Sequence, residues 1–327
     1  MAVDEIRAVL VPEHGGPEVL QVGALPAPVP GPRQVVVEVA ASGVNFIDVY
    51  RREGVYAVAT PFVLGGECAG RVIALGTEVD GVALDDVVAT ASAEGTHATA
   101  VAVDADSVVP VPPSVAAETA AAAMLQGMTA HYLVNSTYQV APGVRVLVHA
   151  AAGGVGALLV QMAKMKGAHV VATVGSAEKE AVARAAGADV VLRYDEIGDL
   201  AGAVREASDG GVNVAYDGVG KSTFEASFAS LRRRGLLALF GAASGQVPPF
   251  DLQRLNSGGS LFITRPTLQH YLATREELLW RAGDVLGDIA KGALHIAIGG
   301  RYPLDRAADA YRDLESRSTT GKLLIIP

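Results

Sequence analysis

The sequence predicts an α/β protein in which a β-rich domain precedes a doubly wound parallel sheet domain. From Gly143 onward, short apolar strands alternate with helical segments, which is the pattern of βαβ units with helices on both faces of a parallel sheet. Before that point, short Val- and Ala-rich segments are separated by Gly, Pro and Asp, as in a barrel or sandwich. The length of 327 residues, at ~150 residues per domain, agrees with two domains.

The elements of the first part of the chain are mostly short. Four prolines at alternate positions from Pro26 to Pro32 predict an extended surface segment. Two further prolines, Pro112 and Pro113, precede a helical run predicted at 115–133. The predicted strands lie at residues 34–40, 68–75, 86–91 and 96–103.

The second part of the chain has longer helices between its strands. The strands are predicted at residues 144–149, 169–174, 189–194, 212–216, 236–240 and 260–264. The helices are predicted at residues 154–166, 177–186, 196–207 and 222–231. After Arg265 follow a helix at 275–290 and two short strands with a helix between them. This tail is too small to stand alone, so we expect it to complete the first domain.

Composition excludes several classes of function. The 26 basic and 35 acidic residues give a net charge of −9, which argues against a nucleic-acid partner because nucleic acid is a polyanion. A single cysteine, Cys68, excludes a disulfide framework and a multi-cysteine zinc module, and it fits a reducing compartment. The start of the chain lacks the apolar region of a signal peptide, and the nearly uncharged run 146–163 fits strand, turn and helix better than a membrane span. We therefore expect a soluble cytoplasmic protein without a membrane partner.

The strongest chemical signal is the segment His-Ala-Ala-Ala-Gly-Gly-Val-Gly at 149–156. It lies between an apolar strand and a helix, as a dinucleotide fingerprint must. In the pattern G-x-G-x-x-G, the first glycine is replaced by Ala151, whereas Gly153 and Gly156 are present. The glycines allow close approach of the backbone to a pyrophosphate and of the helix to the strand. The alternative interpretation is a glycine-rich turn without a ligand.

The end of the second strand of the predicted parallel sheet indicates which dinucleotide binds. NAD-binding proteins usually place an acidic residue there, but this chain has Gly175, Ser176 and, shortly after, Lys179. A hydroxyl and an ammonium suit a 2′-phosphate. Lysine is scarce, six against twenty arginines, and a cation in the first turn of a helix opposes the helix dipole unless an anion lies nearby. The sequence therefore favours NADPH, although Ser176 could be a plain helix cap and Tyr194, after the third strand, a packing residue.

Six distinctive segments are spread along the whole chain. They are HGGPEVL at 14–20, GVNFIDVY at 43–50, AAAGGVG at 150–156, YDGVG at 216–220, TRPTLQ at 264–269 and LESR at 314–317. Together they resemble the medium-chain dehydrogenase/reductase superfamily, specifically its NADPH:quinone oxidoreductases of the zeta-crystallin type. The resemblance implies a GroES-like domain at 1–126 and 266–327 around a Rossmann domain at 127–265, with NADPH in the cleft between them.

The resemblance also indicates what is missing. Zinc alcohol dehydrogenases of the superfamily have a cysteine where this chain has Asn45, and Gly-His-Glu where it has Gly65, Gly66 and Glu67. A catalytic zinc ion thus loses two of its ligands, and the structural zinc lobe would need four cysteines. We expect no metal.

Site residues follow from the matching motifs. The acceptor site is expected to use Asn45, Tyr50 and Tyr56, of which the first two also approach NADPH. The other residues expected around NADPH are Thr129, Gly153, Gly154, Val155, Gly175, Ser176, Lys179, Tyr194, Phe240, Gly241, Ser244, Arg265 and Arg317. Where relatives often carry a polar side chain that could reach the cofactor, this chain has Gly218 and Ala242.

Three functions follow in order of preference. The first is an NADPH-dependent quinone reductase without metal or flavin, because only one dinucleotide motif and no Ser-His-Asp set can be found. The second is reduction of an activated C=C bond in an enone, enal or acyl-CoA. The third is a crystallin-like or RNA-binding role, which the net charge of −9 disfavours. We also expect a homodimer, because the apolar strand at 260–264 would form a sheet edge.

Overall fold

The computed structural model describes residues 4–327. The first three residues of the predicted amino-terminal domain lie outside the described part. The fold has two compact units. One unit contains the chain up to Leu125 together with Leu272–Pro327, and the other contains Gln126–Tyr271.

The unit formed by Gln126–Tyr271 is built on one six-stranded sheet in which all strand pairs are parallel. Numbering strands along the whole chain, it contains β9 (Arg145–Val148), β10 (His169–Val174), β11 (Val190–Arg193), β12 (Val212–Asp217), β13 (Leu231–Leu239) and β14 (Phe262–Thr264). Their order across the sheet is β11-β10-β9-β12-β13-β14. This is the order of a doubly wound Rossmann sheet, in which the direction of winding reverses between the first and fourth strands. The predicted fold class is confirmed.

Helices connect these strands because their apolar residues recur on one face. Numbered along the whole chain, they are α3 (Gly154–Met165), α4 (Ala177–Ala185), α5 (Leu200–Ala207), α6 (Phe224–Ala229) and α7 (Gln253–Ser257). Leu147, Val171 and Leu237 from the sheet, Val204 from α5 and Phe228 from α6 lie in one buried apolar cluster. This burial against the sheet, rather than helix propensity, stabilises such short helices.

The helix predicted at 196–207 begins only at Leu200, and the predicted boundary between the next helix and its following strand is also wrong. The helix expected at 222–231 covers only Phe224–Ala229, and the following strand begins at Leu231 instead of 236. The three arginines at 232–234 are therefore an exposed part of the strand and not a helix end. They lie on the strand because Leu231 and Leu237 on either side are buried, and Arg234 takes a left-handed backbone conformation (φ 59°) beside Gly235.

The other unit is β-rich, as expected. Its strands are β1 (Glu5–Val11), β2 (Gln21–Pro26), β3 (Gln34–Gly43), β4 (Phe62–Val63), β5 (Cys68–Leu75), β6 (Val87–Thr90), β7 (Ala100–Asp104), β8 (Val109–Pro110), β15 (Ile298–Pro303) and β16 (Lys322–Ile326). A three-stranded sheet has the order β2-β1-β4. A seven-stranded sheet has the order β15-β16-β3-β5-β6-β8, with β7 also paired to β3. The carboxy-terminal strands thus join the sheet of the amino-terminal ones, as the sequence predicted.

Four longer helices lie in this unit or begin in it. They are α1 (Phe46–Arg52), α2 (Ala117–Tyr132) continued by a π-helical turn (Leu133–Thr137), α8 (Arg275–Ala290) and α9 (Ala307–Ser316). Short 3₁₀ turns lie at Pro17–Val19, Ala105–Ser107, Leu268–Tyr271 and Leu304–Arg306. The first helix was not predicted, because seven residues are too few to show a helical period. No helix among residues 4–327 is long and apolar enough to span a membrane.

Candidate functional site

The glycine-rich turn joins β9 to α3. Gly153 caps the helix with an extended backbone and no capping side chain, so the first amides of α3 lack a side-chain acceptor. Ala150 has a left-handed backbone (φ 50°), a strained conformation for a residue with a Cβ. A Cβ added to Gly156 would lie 2.3 Å from the Ala150 carbonyl oxygen. The third glycine is therefore required for contact between helix and turn, and the free amides suit an anion.

A glutamine that sequence reasoning missed lies against the same turn. A Cβ on Gly154 would fall 2.0 Å from the Gln126 side-chain oxygen. The glutamine therefore occupies the space over the start of α3. Nothing in its local sequence distinguishes it from an ordinary helical residue.

The residues predicted for the 2′-phosphate come together at the end of β10. Ser176 caps α4, where its hydroxyl accepts from the amide of Lys179 at 3.4 Å. Lys179 lies in the first turn of that helix and is half-buried. The ring of Tyr194 lies 4.0 Å from the position of a Cβ on Gly175. Three chain segments thus meet at this strand end, although the serine hydroxyl also has the capping role considered above.

Tyr194 belongs to a buried polar network behind the glycine-rich turn. Its hydroxyl lies 2.6 Å from Thr173 Oγ1 and 3.2 Å from His149 Nδ1. The other ring nitrogen of His149 lies 2.8 Å from Ser227 Oγ, which donates to Asp217 at 2.6 Å. Burial lowers the pKa of His149 and raises the pKa of Tyr194 to about 12, so both are neutral.

Asp217 closes this network at the end of β12, the strand beside β9. Its carboxylate accepts from the amides of Val219 and Gly220 at 2.8 and 2.9 Å and from Thr223 Oγ1 at 2.8 Å. Because β9 and β12 flank the point where the winding reverses, the network holds both loops where a doubly wound sheet binds its ligand.

The loop after β13 packs on the loop after β12. A Cβ on Gly218 would lie 2.8 Å from the ring of Phe240, and one on Gly241 would lie 2.4 Å from the Gly218 carbonyl oxygen. Ser244 donates to the Val219 carbonyl oxygen at 2.8 Å. Gly218 therefore makes room for the phenylalanine.

Two further residues predicted to bind NADPH, Arg265 and Thr129, lie outside these loops. Arg265 is exposed and donates to the Leu239 carbonyl oxygen at 3.0 Å. Thr129 is buried within α2.

In the β-rich unit, Asn45 belongs to a buried charged cluster that also contains Lys322 and Glu67. Lys322 Nζ lies 2.6 Å from Asn45 Oδ1 and 2.6 Å from Glu67 Oε2. Glu67 Oε1 accepts from the Leu125 amide at 2.6 Å. A Cβ on Gly43 would lie 2.1 Å from Glu67 Oε2, so this glycine makes room for the cluster. Sequence reasoning missed Lys322, because it lies 277 residues from Asn45.

These contacts determine how the Asn45 amide is oriented. An ammonium can only donate, so the atom that faces Lys322 is the amide oxygen. Both N–H groups of the amide are used, by Gly43 O at 3.1 Å and Glu67 Oε2 at 2.9 Å. The side chain of Asn45 therefore has no N–H group left to donate to a ligand.

Asp48, one turn into α1, is a buried acid with an unsatisfied oxygen. Its Oδ2 accepts from the backbone N–H of Asn45 and from the Tyr311 hydroxyl, both at 3.1 Å, while Oδ1 has no hydrogen-bond partner. Burial raises its pKa to about 6, against the lowering effects of the Tyr311 hydrogen bond and of nearby Arg51 and Lys322.

We expect the Asp48→Asn variant to reveal this carboxyl in the pH dependence of stability. A folded-state pKa of about 6, above the ordinary value of 3.8, means that Asp48 stabilises the fold at low pH and loses this contribution as the pH rises through about 6. The wild type should therefore lose about 1.5 kcal/mol relative to the variant between about pH 5 and pH 8. Urea unfolding at both pH values measures the difference. Asp305→Asn, which changes an exposed carboxylate, is the control. If the difference in stability between the wild type and Asp48→Asn changes with pH no more than the difference for this control, the expectation is wrong.

Tyr50 and Tyr56 come together at the end of α1. Their rings meet edge to face with centroids 5.6 Å apart, and Tyr56 is 45% exposed. Arg317 lies elsewhere in this unit, exposed at the carboxy-terminal end of α9.

Comparison with known proteins relates both units to oxidoreductases. Residues 31–142 match the family described as alcohol dehydrogenase GroES-like domain, and residues 154–278 match the family described as zinc-binding dehydrogenase. The chain is 42% identical over 320 residues to quinone oxidoreductase 1 of Escherichia coli (strain K12), covering 96% of this chain and 98% of that protein. It is 36% identical to a 2-haloacrylate reductase of Burkholderia sp, covering 98% of this chain and 99% of that protein.

Among solved structures, the chain is similar to Escherichia coli quinone oxidoreductase complexed with NADPH. The TM-score is 0.96 and the identity 40%, over 98% of this chain and 100% of that chain.

A zinc ion does not fit the residues present here. The positions of the missing ligands hold Asn45 and Gly66, and Glu67 already pairs with the ammonium of Lys322 at 2.6 Å. A divalent cation there would meet that positive charge without thiolate or imidazole ligands to compensate. Among residues 4–327, no group of three potential ligands is arranged for a metal.

Proposed function

The chain belongs to the quinone oxidoreductase family, and from this premise we propose that it is an NADPH-dependent quinone reductase that needs neither zinc nor flavin. The observation that carries the proposal is its likeness, over nearly the whole of both chains, to a quinone oxidoreductase structure with NADPH bound. The mismatch of the Asn45, Gly66 and Lys322 positions with a zinc site supports the metal-independent chemistry. The bound nicotinamide supplies the reducing equivalents.

We assign the pyrophosphate to Gly153, Gly154 and Val155, because the first amides of α3 have no side-chain cap. The adenosine end is assigned to the cluster at the end of β10, namely Gly175, Ser176, Lys179 and Tyr194. The nicotinamide end is assigned to six residues, namely Asn45, Tyr50, Thr129, Phe240, Gly241 and Ser244. Arg265 and Arg317 are assigned to contribute positive charge to the bound cofactor.

The quinone would be held by Tyr50 and Tyr56, whose rings offer stacking surface and phenol groups. Asn45 takes a different part in this scheme. Since its two N–H groups are used, it cannot donate to a quinone oxygen, whereas its Oδ1 can accept from a hydroxyl or amide of the cofactor. No acidic side chain is needed in the transfer itself, because the reduced quinone oxygens can take protons from water.

Cofactor preference tests the role of Lys179. A charge-assisted contact with phosphate is worth about 1.5–3 kcal/mol, so Lys179→Ala should raise the KM for NADPH roughly tenfold to a hundredfold and leave that for NADH nearly unchanged. Steady-state kinetics with both cofactors measure this, with Lys166→Ala, in the same unit, as the control. An equal rise in KM for both cofactors would mean that the lysine stabilises the fold or contacts the pyrophosphate, and not the 2′-phosphate.

A substrate panel tests the function itself. The second candidate is reduction of an activated C=C bond, which the similarity to a 2-haloacrylate reductase favours. Purified protein should be assayed with NADPH and NADH against benzoquinones, naphthoquinones, enones, haloacrylates and acyl-CoA substrates. We expect the highest kcat/KM with a quinone and NADPH. If kcat/KM is much higher with an enone or acrylate than with any quinone, the second candidate function replaces the first.

We further propose that the protein is a homodimer and acts in the cytoplasm. Strand β14 is the last in its sheet, and Phe262 on it is 60% exposed, which favours pairing with a second copy. Light scattering should give about 67 kDa, twice the chain mass of 33.5 kDa. Phe262→Lys should shift the mass towards one chain, and a wild type that is monomeric at micromolar concentration would contradict the proposal.

A further inference from the structure

Arg51 is a charged residue near the acceptor residues to which no role has been assigned. It is half-buried on α1, directly after Tyr50. No hydrogen bond or ion pair joins its guanidinium to another residue of the described part, 4–327. Its neighbour Arg52 differs completely, because that side chain is fully buried and pairs with Glu315 at 2.7 Å. Only the first of the two adjacent arginines is therefore available to a ligand.

The guanidinium of Arg51 lies beside the position of the missing zinc-binding histidine. A Cβ on Gly66 would lie 3.5 Å from Arg51 Nη1. The next residue, Glu67, hydrogen-bonds Asn45 at 2.9 Å. The arginine thus lies within van der Waals distance of position 66, and the next residue, Glu67, contacts Asn45, which is assigned to the acceptor and the nicotinamide end.

A pocket of about 350 Å³ opens in front of this arginine. Its walls are largely apolar, and they include Val58, Phe62, Leu64 and Gly65. Glu94 also lines it, but this side chain is exposed and forms no ion pair with the arginine. The other acid nearby is Asp48, which is fully buried, interacts electrostatically with Arg51 and forms no hydrogen bond with its guanidinium. An apolar pocket with one cation whose N–H groups have no hydrogen-bonded partner in the described residues suits a flat apolar ligand that carries one anionic group.

We propose that Arg51 forms an anion subsite of the acceptor site, so that the protein prefers acceptors that carry a carboxylate or sulfonate group on an apolar ring or chain. The planar guanidinium matches such groups with two parallel hydrogen bonds, and the half-buried position strengthens them. This inference deepens the proposed function, since it names the class of acceptor.

The test compares two acceptors that differ mainly in charge, 1,4-naphthoquinone-2-sulfonate and 2-methyl-1,4-naphthoquinone. Arg51→Met removes the charge but keeps an extended apolar side chain. We expect kcat/KM for the sulfonate to fall about tenfold to a hundredfold, and that for the neutral quinone to change less than about twofold. Arg51→Lys should lie between the wild type and Arg51→Met. The control Arg33→Met removes an exposed arginine that pairs with Asp106, and it should change neither value.

Equal losses with both quinones, or no loss with either, would overturn the proposal. Binding of naphthalene-1-sulfonate, measured by calorimetry, gives a second readout that needs no turnover. If the wild type reduces no quinone at all, the proposed function fails, but weaker binding of this anion to Arg51→Met would still support the subsite. Unchanged binding would overturn the subsite whatever the activity.

Discussion

Replacing Lys322 by methionine should destabilise the protein by about 3–5 kcal/mol, because it leaves the carboxylate of Glu67 buried without its cationic partner. The Lys322 and Glu67 side chains are 1% and 0% exposed, so water cannot replace the lost contact. The same change removes the donor to Asn45 Oδ1. Urea unfolding of the whole chain at neutral pH measures the loss.

Two further variants separate the ion pair from other effects of the change. Lys291→Met removes a lysine whose side chain is 75% exposed, and it should alter stability by less than about 0.5 kcal/mol. In the double variant Lys322→Met with Glu67→Gln, neither charge of this pair is left buried, so much of the stability should return. A single variant as stable as the wild type, or a double variant as unstable as the single one, would contradict the assigned role of the pair.

Replacing Gly156 by valine should have the second-largest effect, on NADPH binding. Its Cβ would lie 2.3 Å from the Ala150 carbonyl oxygen and 2.9 Å from the Ala151 Cα, both of them backbone atoms that cannot rotate away. The start of α3 would have to move from the turn, and with it the amides that we assign to the pyrophosphate. We expect the Kd for NADPH to rise at least about tenfold and stability to fall by about 1–3 kcal/mol.

A glycine in open space provides the matched control. A Cβ on Gly198, in the same unit, would meet no atom within 4 Å, so Gly198→Val should leave NADPH binding unchanged. Fluorescence titration of NADPH measures both variants without any need for turnover. If Gly156→Val binds NADPH as tightly as Gly198→Val, the turn at 150–156 is not the pyrophosphate site.

The Rossmann unit is the part of the fold that the sequence predicts best. The strand, turn and helix around residues 144–166 can be read locally, because an apolar run, two glycines and a helical period follow one another within about twenty residues. Strand β13 shows the limit of such reading. Its three exposed arginines have no strand pattern, and only parallel pairing with β12 on one side and β14 on the other makes Leu231–Leu239 a strand.

For the candidate site, the chemistry of single positions can be inferred from residue type and local context. Asn45 and Gly66 cannot serve as the zinc ligands, Lys179 brings a scarce positive charge to a helix start, and the glycine-rich turn follows an apolar strand. Each of these conclusions needs only the residue type and its near neighbours in the chain.

How these positions are paired depends on the fold and cannot be inferred from local sequence. Lys322 meets Glu67 across 255 residues because β16 joins the sheet through β3, and this contact makes Asn45 an acceptor alone. Arg51 and Arg52 are adjacent arginines that the local sequence does not distinguish. Yet Arg51 lines a pocket, whereas Arg52 is buried and pairs with Glu315. The physical reason is that an ion pair, a buried charge or a free donor depends on which distant strands the fold brings together, whereas turns and helix starts depend on neighbouring residues.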